Sequence, residues 1–159
     1  MADFVRLLAK SSDTPDAPLD SETLPGHTRN VLATAAALVD AVGQQALDSL
    51  GLNDTFSTEP LRAALLRAAL LHDLGKANDQ FQQAVRHADV TQALRHEWVS
   101  VWLALRDEHL YQWIFAGCSP AVCSAALYSA LGHHLKLKDA ADIAVRTGRD
   151  CLRSASQSP

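Results

Sequence analysis

The sequence predicts an all-α domain, and three observations carry that expectation. Alanine and leucine dominate a chain that is 48% hydrophobic, while β-branched and aromatic residues are sparse, a balance that favours helix over sheet. Apolar residues recur at helical spacing in several separate stretches. No stretch shows the period-two alternation of a half-buried strand. At 159 residues the chain can fill one core but not two.

The elements follow in order. Residues 11–24 hold three aspartates, two prolines and several Ser/Thr, a composition that reads as a mobile leader or loop. We therefore divide the chain into a leader, 1–24, and a domain, 25–159. Over 26–43 the pattern is helical, with Val31, Thr34, Ala35, Leu38 and Val42 along one stripe. His27 lies one turn before Val31 and is expected to point inward. A second helix is predicted over 59–74, with Ser57 or Thr58 as its cap and Pro60 in its first turn. Leu61, Ala64, Leu65, Ala68 and Ala69 follow helical spacing, and His72 is the next member of that row. Arg62 and Arg67 are the only charges between Pro60 and Leu71, so this helix is expected to be central and largely buried. Gly75 reads as its C-terminal stop.

Asn78 is placed to cap a short third helix reaching residue 86, and Thr91 a fourth reaching residue 107. The main apolar row of the fourth is Leu94, Trp98, Val101, Trp102 and Leu105. His96 lies off that row, in line with Val99, Ser100 and Leu103, which suggests a helix sandwiched between two apolar surroundings. Ser119-Pro120 opens a fifth helix ending at residue 132, immediately before His133 and His134. A sixth helical segment is expected from about residue 139, and the tail from residue 154 reads as frayed. Trp98, Trp102 and Trp113 are expected in the core rather than as base-stacking platforms. Arg95 and Glu97 are expected to be structural or surface residues.

The formal net charge of −4 provides no global positive field, which argues against a charge-driven nucleic-acid coat protein. It does not argue against an enzyme that grips its substrate through metal ions. Cys118, Cys123 and Cys151 form no C-x-x-C pair, so a disulfide framework or zinc ribbon is not expected. Cys118 and Cys123 read as buried and inert. No secretory signal opens the chain, and charges break every apolar stretch before membrane-spanning length. The expectation is a cytoplasmic protein with no membrane partner.

The chemistry concentrates at the end of the second helix. An apolar helix closes on His72-Asp73, and burying a carboxylate without a partner is costly. A bound cation removes that cost, with histidine supplying a neutral nitrogen and aspartate an oxygen able to bridge two ions. Of the seven histidines, His87 and His109 sit among polar neighbours. The other five are His27, His72, His96, His133 and His134, and four of these fall at predicted helix ends or starts. Helix ends from different parts of a bundle can meet at one point to form a metal site.

His27, the run HDLGK at His72 to Lys76, RHE at Arg95 to Glu97 and GHH at Gly132 to His134 together resemble the HD nuclease domain of type I CRISPR effector helicase–nucleases. KANDQFQ, from Lys76 to Gln82, fits the same group. The HD pair alone would indicate only the wider HD superfamily of metal-dependent phosphohydrolases. The resemblance implies an all-helical fold with a two-metal site. His27, His72 and Asp73 would hold one ion, and Asp73 would bridge to a second held by His96, His133 and His134. It also implies in-line attack of a metal-activated water on single-stranded DNA fed by a helicase, fused or separate, within a crRNA-guided complex. Asp73 and Lys76 are then the candidate catalytic residues, Lys76 as a point charge on a phosphate oxygen. Histidine-rich ligation suits manganese, nickel, cobalt or iron better than magnesium.

The family also uses an aspartate well downstream of the tandem histidines. Only 25 residues follow His134, and of these Asp139, Asp142 and Asp150 are the aspartates, none in a matching context. A domain truncated at its C-terminal end, a site completed differently and an impaired site all remain open on this reading. Two other functions stay open beside the nuclease: an HD phosphohydrolase acting on small nucleotides, and a non-catalytic helical interaction domain.

Overall fold

The computed structural model describes residues 6–54, 56–87, 90 and 94–134. Among these residues the chain is all-α, with six α-helices, two short 3-10 turns and no strand beyond a single bridge between Leu8 and Thr23. The predicted sixth helix, the cap at Thr91 and the three late aspartates lie outside the described residues. No single described helix is long and apolar enough to cross a membrane.

Helix α1 (Leu24–Leu50) starts where the Thr23 hydroxyl accepts a hydrogen bond from the Gly26 N–H and Pro25 occupies the first turn. It runs past the predicted end at Gly43 and stops at Gly51, whose φ of 65° suits glycine. Its buried row is Ala35, Val39, Gly43 and Leu47; of the predicted stripe Ala35 belongs to it and Val31 is half-buried, while Thr34, Leu38 and Val42 face outward. The physical reason is the neighbour: α1 packs along α2, and the face that carries Gly43 is the one that meets it, with Leu61 Cδ2 in van der Waals range of that position.

Helix α2 (Thr58–Leu71) follows. Ser57 occupies its N-cap position but makes no side-chain capping bond. Ala64, Ala68, Ala69 and Leu71 are buried, and α2 packs against both α1 and α6 (Pro120–Gly132), so the predicted central place is observed. The predicted stop differs. The helix ends at Leu71, and the chain tightens into a 3-10 turn over Leu74–Ala77. Gly75 is not in the left-handed region that a C-terminal stop would use. Its small size instead admits α4 (His96–Arg106) against the turn.

Helix α3 (Asp79–Arg86) matches its predicted span, with Asn78 Oδ1 accepting from the Phe81 N–H at 2.9 Å. In α4 the predicted main row is overturned. His96, Glu97, Ser100 and Ala104 are buried, whereas Leu94, Trp98, Trp102 and Leu105 are exposed, both tryptophans at 60%. Trp113 is exposed too, so none of the three tryptophans belongs to the core. The polar row of α4 turns inward because it has partners there, which the sequence pattern does not display. Helix α5 (Glu108–Phe115) falls between the predicted fourth and fifth helices, capped by Asp107 accepting from the Leu110 N–H. Eight residues are too few for a strong periodic signal.

The core joins Ala68 and Leu71 of α2, Ala104 of α4, Ile114 and Phe115 of α5, and Cys123, Ala126 and Ala130 of α6. Cys118 and Cys123 are free thiols, Cys123 buried as expected. Between residue 6 and α1 the described chain is irregular, apart from a 3-10 turn over Asp20–Glu22. It is nevertheless tied down: the Leu8 N–H donates to Gln82 Oε1, and Gln82 Nε2 donates back to the Leu8 carbonyl, each at 2.9 Å.

Candidate metal centre

Four helix ends meet at one place. His27 lies in the first turn of α1, His72 and Asp73 close α2, His96 opens α4, and His133 and His134 follow α6. All six predicted ligand residues therefore converge, as does Lys76 from the 3-10 turn. His87 and His109 are exposed and stand apart from these groups.

Asp73 is the hub. Its side chain is 2% exposed, and its two oxygens face different partners. Oδ2 lies 3.2 Å from Nε2 of His27 and 3.2 Å from Nε2 of His72. Oδ1 lies 3.1 Å from Nε2 of His96 and 3.6 Å from Nε2 of His133. His134 Nε2 reaches His96 Nε2 at 3.1 Å. Two ligand groups result, His27–His72–Asp73 and Asp73–His96–His133–His134, each with its donor atoms within 4.8 Å of one another. Asp73 belongs to both, and among the described residues it is the only carboxylate in either.

The donor chemistry fits cations. His72 Nδ1 lies 2.8 Å from the Ala69 carbonyl oxygen, and His133 Nδ1 lies 2.6 Å from that of Ala130. A carbonyl only accepts, so each Nδ1 carries hydrogen, and a neutral ring then aims the Nε2 lone pair at Asp73. A lone pair facing a carboxylate oxygen is repulsive unless a proton or a cation lies between them. Asp73 Oδ1 is also buried without a hydrogen-bond partner, the condition that a coordinated ion would relieve.

The electrostatics agree. Burial alone would raise the Asp73 carboxyl, but His133, His72, His96 and Lys76 outweigh it and hold the group far below the usual carboxylate range. Burial pushes His27 and His134 below the ordinary histidine value, while the Asp73 carboxylate pulls His133 above it. Lys76 is largely buried and donates to Asp73 Oδ2 at 2.7 Å and to the Ala9 carbonyl at 3.0 Å. Part of its ammonium is thus already engaged within the protein.

A family model described as "Cas3, HD domain" matches residues 8–155. The chain belongs to the Cas3 HD domain family. It is 39% identical over 134 residues, 84% of its length, to a Myxococcus xanthus (strain DK1622) protein named as a CRISPR-associated nuclease/helicase Cas3, covering 18% of that relative. It is 45% identical over 53 residues, 32% of its length, to the Pseudomonas aeruginosa (strain UCBPP-PA14) CRISPR-associated nuclease/helicase Cas3 subtype I-F/YPEST, covering 5% of that relative. The chain therefore spans less than a fifth of the length of these curated relatives. No solved structure gives a significant match.

Three residues of this Cas3 HD domain shape the site without having been singled out for it by sequence. Ser100, fully buried, accepts from the Gly75 N–H at 2.7 Å and donates to the His72 carbonyl at 3.2 Å, clamping α4 to the turn. Gln82 bonds the Lys76 carbonyl at 2.8 Å. Glu97, expected to be structural or at the surface, is 2% exposed beside His96. The available signal was the row His96–Ser100, which places small and polar residues on one face of α4.

Proposed function

We propose that this chain is the metal-dependent nuclease domain of a CRISPR effector, cutting phosphodiester bonds of single-stranded DNA. The observation that carries the proposal is the division of the Asp73 carboxylate, one oxygen facing His27 and His72, the other His96 and His133. That arrangement supports a bridging aspartate between two ions, one held with His27 and His72, the other with His96, His133 and His134. Two divalent ions, when bound, acidify a water and stabilise both the attacking and leaving oxygens of an in-line displacement. The imidazole-rich donor set favours manganese, nickel, cobalt or iron over magnesium.

The protein's own groups do the positioning. The α2 and α6 ends bring carbonyls that fix the ring orientations of His72 and His133. Lys76 offsets part of the Asp73 charge and supplies a positive group beside the reacting phosphate. The names of the relatives support a helicase partner, on the same or a separate chain, that delivers the strand, together with a crRNA-guided complex that selects it.

The test is incubation of circular single-stranded DNA with the chain and manganese or nickel, beside His72→Ala and Asp73→Ala variants. Cleavage by the parent chain, lost in both variants, is expected. Equal behaviour of all three would sink the nuclease reading.

A further inference from the structure

Residues 7–9 belong to a stretch without regular structure, yet five consecutive backbone groups in it are bonded. The Leu7 carbonyl accepts from the Leu24 N–H at 2.8 Å, and the Ala9 N–H donates to the Glu22 carbonyl at 2.8 Å. The Leu8 N–H and carbonyl are both held by the Gln82 side chain. The Ala9 carbonyl accepts from Lys76 Nζ at 3.0 Å, and that same ammonium donates to Asp73 Oδ2 at 2.7 Å. One ammonium therefore joins this strap to the shared carboxylate of the metal centre. Backbone held in this way needs little further ordering to meet a ligand.

Lys76 is largely used up in that joint. Its side chain is 12% exposed, and two of its three hydrogens have partners. Of the side chains within ion-pair range of Asp73, His27 is the most exposed, at 35%, so the centre is open past its ring. The residue that follows Ala9 is Lys10. It is exposed, and its side chain has no hydrogen bond or ion pair among the described residues. Neighbouring carboxylates are already taken: Glu22 by the Ser12 hydroxyl at 2.8 Å and the Leu19 N–H at 3.0 Å, and Asp20 by Arg29 at 2.7 Å. Burial above all holds His27 below the ordinary histidine value, and Lys10 is among the charges that add to the lowering. Its ammonium is thus within electrostatic reach of the exposed ring.

We infer that Lys10 is a phosphate-binding residue, placed by the 7–9 strap to hold a phosphate of the substrate strand on the His27 side of the metal centre. This rests on the proposed nuclease function of the same site. A lysine suits the task, because a point charge on a flexible stem follows a strand's backbone and reads no base. The bonded strap fixes where the stem begins, and Lys76 ties that beginning to Asp73. The net charge of −4 gives the chain no general attraction for DNA, so a local cation at the entrance counts for more.

The experiment uses the whole chain with manganese and a labelled single-stranded DNA whose phosphorothioate links resist cutting. Affinity is measured by fluorescence anisotropy over a series of salt concentrations for the parent, Lys10→Gln, Lys10→Arg and Arg62→Gln. Lys10 is exposed and its side chain bonds nothing in the fold, so its variants keep the structure. Lys10→Gln is expected to bind more weakly and to reduce the slope of log affinity against log salt by about 0.7, the share of one phosphate contact on a single strand. Lys10→Arg keeps the charge and is expected to keep the parent slope. Arg62 pairs with Asp40 and lies about 15 Å along α2 from His72. Arg62→Gln makes the same change in net charge away from the entrance and is expected to match the parent. A Lys10→Gln slope equal to the parent's, or an equal fall in Lys10→Arg or Arg62→Gln, overturns the inference and leaves the proposed function standing. A parent that binds the strand but does not cut an ordinary one counts against the proposed function, while the slopes still decide the role of Lys10. A parent that does not bind overturns both.

Discussion

A Cβ on Gly75 would stand 2.1 Å from the carbonyl oxygen of His96 and 2.7 Å from the Ser100 backbone nitrogen. The turn after Asp73 therefore rests on the backbone of α4 itself, and this approach brings Asp73 Oδ1 to 3.1 Å from His96 Nε2. Gly75→Ala forces backbone apart from backbone, which no side-chain rotation relieves. We expect a loss of about 1–3 kcal/mol, the usual range for overpacking, together with weakened metal binding as His96 is displaced. Urea unfolding and calorimetry check both, and a variant as stable as the parent would contradict the packing described.

Ser100→Ala removes the hydroxyl that accepts from the Gly75 N–H. The buried N–H is left without a partner, at an expected cost of about 1–3 kcal/mol. Unchanged urea midpoints would show that the clamp contributes nothing.

Metal removal gives a third prediction. A ligand that binds only the folded chain stabilises it by about 2.7 kcal/mol at a concentration 100 times its Kd. Manganese should raise the melting temperature of the parent, and a chelator should reverse the rise. Asp73→Asn, which loses the shared anionic ligand of both groups, should show neither change.

The Asp73–His133 pair gives the metal-free chain a pH signature. His133 is raised above its ordinary value of 6.5, so it binds its proton more tightly folded than unfolded. Its stabilising effect is complete below pH 6.5 and is lost as the pH rises through the raised folded value. The difference in melting temperature between parent and His133→Gln should therefore shrink from acid toward alkaline pH in chelator. With manganese present the trend should reverse, because an ion needs the neutral ring. A difference that does not vary with pH in chelator would remove the pair as its source.

Trp98 and Trp102 are each 60% exposed on the outer face of α4. Their substitution by serine is expected to change stability by no more than about 0.5 kcal/mol each, the usual range for surface positions. A loss of several kcal/mol by thermal unfolding would place them in a core after all.

Taken by itself, the sequence determined the helical class, the span of α3, the central place of α2 and the identity of the clustered histidines with Asp73. Those features are local or compositional: helix propensity, capping by Asn78 and an apolar row that ends on His72. Tertiary structure decided which faces turn inward. On α1 and α4 more than one row could be buried by apolar content alone, and the neighbours chose Val39 over Leu38, and Ser100 over Trp98 and Trp102. In α4 the reason is polar: Ser100 bonds the Gly75 N–H and the His72 carbonyl inside, and Gly75 leaves room for the backbone of α4 to come close. Periodicity counts apolar residues, whereas burial depends on what each residue meets, and only the folded chain brings together Gly75, Ser100, Glu97 and the two oxygens of Asp73.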